Sequence, residues 1–214
     1  MKVSPSILTC DFTHLEREIA SVTSSGADLL HLDVMDGVFV PNLTFGPPVI
    51  RQLRPLTHLP FDVHLMLEHP DRLLEAFVAA GADILTIHLE SSAPIRETLR
   101  RIRSAGRLAG LSIRPSTPAE AVFPYLDQLD WVLIMTVEPG FGGQALLPDT
   151  LRKVSVLREE AIRRERSLVI EVDGGVNAQN AKTAAAAGAT AAVIGNAFFS
   201  AGNPAELVAA LQAL

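Results

Sequence analysis

Residues 61–88, FDVHLMLEHPDRLLEAFVAAGADILTIH, contain one complete strand–helix–strand unit. Two β-rich segments, Phe61–Met66 and Ile84–His88, enclose a predicted helix at Pro70–Ala80. The proline stands in the first helical turn, where its missing N–H costs nothing, and the Gly81-Ala82-Asp83 step ends the helix. A unit of this kind is typical of parallel sheets whose strands are connected by helices.

The same alternation continues along the whole chain. The other predicted strands are Val3–Leu8, Leu29–Val34, Ala109–Ile113, Trp131–Met135, Leu168–Val172 and Ala191–Ile194. The other predicted helices are Leu15–Thr23, Phe45–Leu53, Pro94–Ala105, Pro118–Tyr125, Pro148–Arg164, Asn180–Ala187 and Pro204–Leu214. Eight such units in 214 residues predict an α/β protein with one domain, residues 1–214, folded as a closed (β/α)8 TIM barrel. An open, doubly wound sheet is the alternative, although no Gly-x-Gly-x-x-Gly follows the first strand.

Composition and charge exclude several classes of protein. With 48% hydrophobic and 20% charged residues, the chain has the composition of a folded protein and not of a disordered one. The net charge of −6 argues against nonspecific nucleic-acid binding, and no apolar run approaches the roughly 20 residues of a membrane-spanning helix. The single cysteine, Cys10, cannot form an internal disulfide, and the N-terminal residues do not resemble a signal peptide. We therefore expect a cytoplasmic globular protein.

Polar side chains inside the predicted strands point to a functional site. Strands of a barrel are buried on both faces and are normally almost entirely apolar. Here His31 and Asp33 share one face of the second strand, and Asp62 and His64 share one face of the third, because side chains alternate along a strand. Imidazoles and carboxylates buried in this way are unfavourable unless they are paired or bind a cation.

A divalent metal ion would satisfy such a cluster. The candidate ligands are His31, Asp33, His64 and Asp173, the last at the end of the seventh strand. Two nitrogen and two oxygen ligands suit zinc, iron, manganese or cobalt. Asp62 is interpreted as a residue that orients His64, and not as a ligand. The simpler interpretation, in which each histidine only forms a hydrogen bond within the core, remains open.

Glycine-rich loops follow the last three predicted strands. They lie at Glu138–Gln144, Asp173–Asn177 and Ile194–Ala197. Glycine lets backbone N–H groups approach an anion closely, and in barrel enzymes the loops after strands seven and eight commonly bind phosphate. The three loops therefore favour a phosphate site over ordinary tight turns.

These segments resemble the ribulose-phosphate 3-epimerase family. The likeness is carried by SPSIL at 4–8, HLDVMDGVFVPNLTFGPPV at 31–49, DVHLM at 62–66, MTVEPGFGGQ at 135–144 and EVDGGV at 171–176, and it extends over nearly the whole chain. It implies a barrel of the ribulose-phosphate-binding type that interconverts D-ribulose 5-phosphate and D-xylulose 5-phosphate, a step of the pentose phosphate pathway, with one divalent metal ion. It also implies a homo-oligomer, either a dimer or a hexamer.

The resemblance assigns roles to individual residues. The metal ligands fall on the four candidates named above. The two acid/base carboxylates fall on Asp33, as proton acceptor, and Asp173, as proton donor, and the positions that contact substrate include Ser6 and His64. The residues expected to hold the sugar chain and its phosphate are Gly140, Phe141, Gly142, Gly143, Asp173, Gly174, Gly175, Gly195 and Asn196.

Two positions depart from the family pattern, and three methionines are of interest beside it. Asn196 stands where serine is more usual, and Arg114 stands where asparagine or lysine is more familiar; we expect the Arg114 side chain to be solvated. Core filling is the usual role of methionine. We nevertheless expect Met35, Met66 and Met135 to form an apolar wall that keeps water from an enediolate intermediate.

Three alternative functions remain at this point. A related ketose-phosphate 3-epimerase, for example one acting on D-allulose 6-phosphate, would use the same residues. A metal-assisted decarboxylase or aldol-type synthase on a similar barrel would carry Asp-x-Lys-x-x-Asp, but Asp33-Val34-Met35-Asp36 has methionine at the lysine position. A barrel that only binds its ligand would not need two opposed carboxylates.

Overall fold

Eight parallel strands form the centre of the computed structural model, which describes residues 1–214. The strands are β1 (Lys2–Pro5), β2 (Leu30–Met35), β3 (Phe61–Met66), β4 (Ile84–His88), β5 (Leu108–Ile113), β6 (Trp131–Met135), β7 (Val169–Asp173) and β8 (Ala191–Ile194). Each strand pairs with its neighbour in the sequence from β2 to β8, and β8 pairs with β1.

The ring closes between β1 and β2 through a few backbone contacts. Ser6 and His31 form an isolated parallel bridge, and the N–H groups of Asp28 and Leu29 donate to the carbonyl of Val3 at 3.0 and 3.3 Å. The predicted (β/α)8 barrel is therefore confirmed, and the alternative of an open, doubly wound sheet is wrong.

Helices surround the strands on the outside. They are α1 (Leu15–Ser24), α2 (Pro47–Leu53), α3 (Leu74–Ala80), α4 (Ile95–Ser104), α5 (Leu151–Arg163), α6 (Ala181–Ala187), α7 (Asn196–Phe199) and α8 (Pro204–Gln212). A long 3-10 helix, Ala119–Gln128, takes the place of an α-helix between β5 and β6. Shorter 3-10 turns lie at Ile7–Thr9, Phe12–His14, Arg54–Leu56, Pro70–Arg72 and Pro148–Thr150.

Two predicted elements differ in kind from the structure. The strand predicted over Val3–Leu8 ends at Pro5, because the Ser6 hydroxyl accepts a hydrogen bond from the N–H of Leu8 at 3.1 Å and begins a 3-10 turn. The helix predicted over Pro118–Tyr125 is a 3-10 helix; Pro124 lies inside it and has no N–H to continue an α-helical ladder.

The core lies between the strands and the helices, and the barrel interior has two unlike ends. Between the strands and the helices, 50 buried hydrophobic residues contributed by both form one cluster. Inside the barrel, an apolar layer that includes Ile84, Trp131 and Ala191 closes the end at which the strands begin. The histidines and carboxylates lie beyond this layer, so the polar interior opens only where the strands end. None of the helices combines the length and the hydropathy that crossing a membrane would require.

Candidate active site and metal centre

A pocket of about 850 Å³, which includes its solvent-open mouth, lies at the carboxyl ends of the strands. The predicted site residues that line it are Ser6, Asp33, Met35, Met66, Met135, Gly140, Phe141, Gly142, Gly143, Asp173, Gly174, Gly175, Gly195 and Asn196. His31 and His64 lie at the floor of this site and are completely buried. The barrel therefore brings all of the predicted site residues to one end of the molecule.

The four predicted metal ligands form one cluster. The ligand atoms of His31, Asp33, His64 and Asp173 all lie within 4.8 Å of one another. Asp33 Oδ1 is 3.3 Å from His31 Nε2 and 3.1 Å from His64 Nδ1. Asp173 Oδ2 is 4.0 Å and 3.8 Å from the same two nitrogens. Bonds of about 2.1 Å to a tetrahedral metal would separate the ligand atoms by roughly 3.4 Å, which fits these distances.

The hydrogen bonds of the two histidines support the same conclusion. His31 Nε2 is buried and has no hydrogen-bond partner, although it faces the carboxylates of the cluster. A buried nitrogen without a partner is unfavourable, and a metal ion would remove this penalty. The cluster thus fits a divalent metal ion, and its donor set is compatible with several of them.

Asp62 contacts a different histidine from the one predicted. Its Oδ2 atom accepts a hydrogen bond from His31 Nδ1 at 2.7 Å and another from the Ser4 hydroxyl at 3.1 Å. The prediction that Asp62 orients His64 is therefore wrong. In the register of β2 and β3, His31 stands beside Asp62, and Asp33 stands beside His64.

His64 has a partner that the sequence pattern does not reveal, namely His88. Its Nε2 atom lies 2.8 Å from Nε2 of His88, and Nδ1 of His88 lies 3.1 Å from Oε2 of Glu90. Burial lowers the pKa of His88 to about 4. The sequence contained one signal, because a histidine that ends a predicted barrel strand is an unusual residue for that position.

The two aspartates of the pocket differ in their surroundings. Burial acts to raise the pKa of Asp33, but His31 and His64 more than offset it and hold this pKa well below its usual value. Burial and the negative charge of Asp33 raise the pKa of Asp173 to about 6. The Ser6 hydroxyl donates a hydrogen bond to Asp33 Oδ2 at 2.6 Å, so Ser6 holds the Asp33 carboxylate in place.

The glycine-rich loops pack tightly against one another at one side of the pocket. A Cβ atom on Gly175 would lie 2.4 Å from the backbone nitrogen of Leu146, and one on Gly143 would lie 3.0 Å from Asn196 Nδ2. Both glycines have positive φ angles, of +67° and +79°. Only glycine therefore fits this arrangement, in which the side chain of Asn196 reaches the edge of the predicted phosphate site.

The three methionines line the pocket in two groups. Met35 and Met66 pack with Phe39 and Val40, whereas Met135 packs in a separate cluster on the other side. All three side chains are at most 4% exposed. The methionines therefore give the pocket an apolar wall on two sides.

Arg114 is not simply solvated, contrary to expectation. Its Nη2 atom donates to the carbonyl of Phe39 at 2.8 Å, and its guanidinium carbon lies 4.2 Å from the centre of the Phe39 ring. The side chain binds the loop after β2 because a cation is attracted to the face of an aromatic ring. Phe141, in contrast, is 55% exposed at the mouth of the pocket.

One family model and several known proteins match most of the chain. A sequence model described as "Ribulose-phosphate 3 epimerase family" matches residues 2–199. A ribulose-phosphate 3-epimerase of Bacillus subtilis is 46% identical over 200 residues, which cover 93% of this chain and 92% of that protein. One of Treponema pallidum is 48% identical and covers 92% of this chain and 91% of that protein. A chloroplastic ribulose-5-phosphate-3-epimerase of Arabidopsis thaliana is 45% identical, and the match covers 99% of this chain and 76% of that protein.

Solved structures of other enzymes share the fold. A 3-hexulose-6-phosphate synthase superimposes with a TM-score of 0.66 at 18% identity and covers 100% of this chain and 99% of its own. KGPDC from Streptococcus mutans superimposes with a TM-score of 0.69 at 14% identity and covers 99% of this chain and 95% of its own. Identities this low support the barrel fold alone.

Proposed function

Because the chain belongs to the ribulose-phosphate 3 epimerase family and is an isomerase, we propose that Asp33 and Asp173 carry out its reaction. The proposed reaction interconverts D-ribulose 5-phosphate and D-xylulose 5-phosphate by proton transfer at C3. One observation carries the proposal: two carboxylates from strands three apart around the ring, β2 and β7, meet in one pocket beside two buried histidines.

Epimerisation next to a carbonyl requires a base on one face of the sugar and an acid on the other. The C3 proton is removed to give an enediolate, and a proton is returned to the opposite face. A carboxylate is a weak base for a C–H bond, and each unit of pKa mismatch costs about 1.4 kcal/mol. A divalent metal ion held by His31, Asp33, His64 and Asp173 would supply positive charge that stabilises the developing negative charge on the substrate oxygens.

The proposed roles of the two aspartates follow from the family resemblance. Asp33 accepts the C3 proton of D-ribulose 5-phosphate, while Asp173 donates a proton to the other face, and the roles exchange in the reverse direction. The opposite pKa shifts of the two groups are consistent with this division. Ser6 keeps the Asp33 carboxylate oriented through its 2.6 Å hydrogen bond.

Other residues of the pocket bind the substrate and exclude water. We propose that backbone N–H groups of the glycine-rich loops, with Asn196 beside them, hold the phosphate. Met35 and Met66, which are almost completely buried, exclude water from the side of the pocket next to Asp33. Assembly as a dimer or hexamer and a cytoplasmic location stay predictions.

The D173N variant tests the proposal. We expect interconversion, followed with an assay coupled to consumption of D-xylulose 5-phosphate, to fall by about 10³-fold, because no acid or base remains on one face. Inhibition by inorganic phosphate should change little, because backbone groups hold the anion. D149N is the matched control, since Asp149 is a 91% exposed side chain outside the pocket. Near-native turnover by D173N would remove Asp173 from the acid/base pair.

A further inference from the structure

A chain of three side chains leads from the proposed metal centre to the rim of the barrel after β4. It consists of His64, His88 and Glu90, which we call the relay. The two histidines are completely buried, and Glu90 is 22% exposed. The rings of the histidines lie 5.0 Å apart, with the 2.8 Å contact between their Nε2 atoms.

The hydrogen bonds of the relay run in a single direction. His64 Nδ1 faces the carboxylates of Asp33 and Asp173, at 3.1 and 3.8 Å, so this nitrogen must offer its lone pair if a metal binds there. A neutral His64 then carries its proton on Nε2 and donates it to Nε2 of His88. His88 in turn carries its proton on Nδ1 and donates it to Glu90.

Backbone and side-chain groups hold the far end of the relay. The second carboxylate oxygen of Glu90 accepts from the N–H of Arg114 at 2.8 Å and from the hydroxyl of Thr117. The Lys153 ammonium group binds the carbonyls of Arg114, Pro115 and Thr117 at 2.6–2.9 Å, which holds this segment in place. Both oxygens of Glu90 therefore have donors, and the carboxylate is fixed in orientation.

An aromatic residue covers the middle of the relay. The ring of Phe39 lies 4.7 Å from the ring of His88, and Arg114 binds Phe39 through its carbonyl and its ring. His88 is thus closed off from solvent and has one acceptor and one donor partner. These contacts hold the proton of His88 on Nδ1, beside the Glu90 carboxylate, and leave Nε2 as the acceptor.

We propose that His88 and Glu90 are positioning residues that fix the tautomer and the ring orientation of His64, so that Nδ1 of His64 presents a lone pair to the metal ion. The two metal histidines are then held in different ways: His31 directly by the Asp62 carboxylate, and His64 through an intervening imidazole. The inference rests on the metal site of the proposed function. Partners of this kind around a metal ligand are commonly important for metal affinity.

Cobalt binding to variants of His88 tests the proposal. H88L removes the acceptor for the His64 proton, whereas H88Q keeps an amide oxygen that can accept it. We expect H88L to bind Co²⁺ about 10–100-fold more weakly, measured by competition with a coloured chelator, and to change the visible absorption of the Co²⁺-loaded protein. H88Q should recover most of the affinity. E68Q is the control, because the Glu68 carboxylate at the same rim accepts from Ser92 and not from His88.

A second measurement keeps the test independent of protein stability. Side-chain ¹⁵N NMR of the Zn²⁺-loaded wild-type protein should show the Nε2–H tautomer of His64 and the Nδ1–H tautomer of His88. The opposite tautomer of His88, or an H88L variant that is less stable but binds Co²⁺ with wild-type affinity and spectrum, would overturn the relay. If the wild-type protein itself binds no Co²⁺, the metal site of the proposed function fails, and the relay fails with it.

Discussion

Asp33 and Asp173 are chemically identical side chains that lie in different surroundings. Asp33 lies between two imidazoles and a serine hydroxyl, all of which favour its ionised form. Burial and the negative charge of Asp33 favour the protonated form of Asp173, whose contacts with the histidines are weaker. Pairs of groups whose pKa values are separated in this way are typical of acid/base sites.

At Met66, an effect on protein stability can be distinguished from an effect on catalysis. Its side chain is 1% exposed and packs with Met35, Phe39 and Val40 at the pocket wall. We expect M66A to lower the free energy of unfolding by about 2–5 kcal/mol through the cavity it leaves. Because water would enter the pocket, kcat/KM should also fall, by about 10-fold, in steady-state assays.

L157A provides the comparison for M66A. Leu157 is a fully buried residue of α5 outside the pocket, so its truncation should lower stability by a similar amount without changing kcat/KM. If M66A also left the kinetic constants unchanged, Met66 would be a core residue only.

The sequence allowed the residues of the cluster to be predicted, but not all of their contacts. His31, Asp33 and His64 were recognisable because the alternation of side chains places them on one face of buried strands. The partner of Asp62 was not, because it depends on the register of β2 against β3, which a single sequence does not contain. The position of Arg114 depends on a loop from a distant part of the chain.

At the scale of elements, the loops after β6 and β7 depend on each other. We expect G175A to raise KM for D-ribulose 5-phosphate by about 10-fold or more, because the new Cβ would lie 2.4 Å from the backbone of Leu146 and must move that loop. The φ angle of +67° adds strain of about 1–3 kcal/mol for a residue other than glycine. Steady-state kinetics and thermal unfolding measure the two effects.

G202A is the matched substitution for G175A. A Cβ on Gly202 would meet no atom within 4 Å, and Gly202 has no positive φ angle. This variant should keep the wild-type KM and midpoint of unfolding. A G175A variant with the same KM as G202A would show that the loops do not position the substrate.

The end of a helix was predictable where a glycine stops it by adopting a left-handed backbone conformation. Gly81 and Gly188 end α3 and α6 with left-handed φ angles of +101° and +108°, as helix-end glycines do. The end of β1 was not predictable, because the Ser6 side chain competes with the sheet for the backbone. The 3-10 helix at Ala119–Gln128 was also missed, although Pro124 inside the predicted helix was a signal against an α-helix.

At the scale of the whole molecule, the barrel separates an apolar end from a reactive one. The layer around Trp131 closes one end, and the indole of Trp131 donates to Glu171 at 2.6 Å inside the barrel. Burial raises the pKa of Glu171 well above its usual value, which favours a neutral carboxyl beneath the proposed metal centre. The charge of the interior is therefore concentrated at the open end, where substrate enters.

The barrel is expected to unfold as one unit, stabilised by the metal ion. Calorimetry should show one cooperative transition for residues 1–214, because the ring of strands is continuous.

A free metal concentration 100 times its Kd should stabilise the protein by about 2.7 kcal/mol, or roughly 5–10 °C in Tm. Two separate transitions would contradict a single domain, and an unchanged Tm would contradict specific metal binding.

The barrel was predictable because eight strand–helix units of similar length alternate along one chain of this size, as they do in closed (β/α)8 barrels. The exposure of individual residues in the loop after β2 was not predictable from the sequence. Val38 and Leu43 are more than 70% exposed, yet in the sequence they lie in a run that also contains the buried residues Phe39 and Val40. Their exposure is a property of the folded loop.

Exchange of the C3 proton of D-ribulose 5-phosphate in D₂O, followed by proton NMR, tests most directly whether the metal centre enables an aspartate to deprotonate the sugar. With the metal-loaded protein, we expect the C3 proton signal to be lost as D-xylulose 5-phosphate forms. A chelator should stop both processes, and adding a divalent metal ion should restore them. Undiminished exchange after the metal is removed, or interconversion without deuterium at C3, would contradict the mechanism.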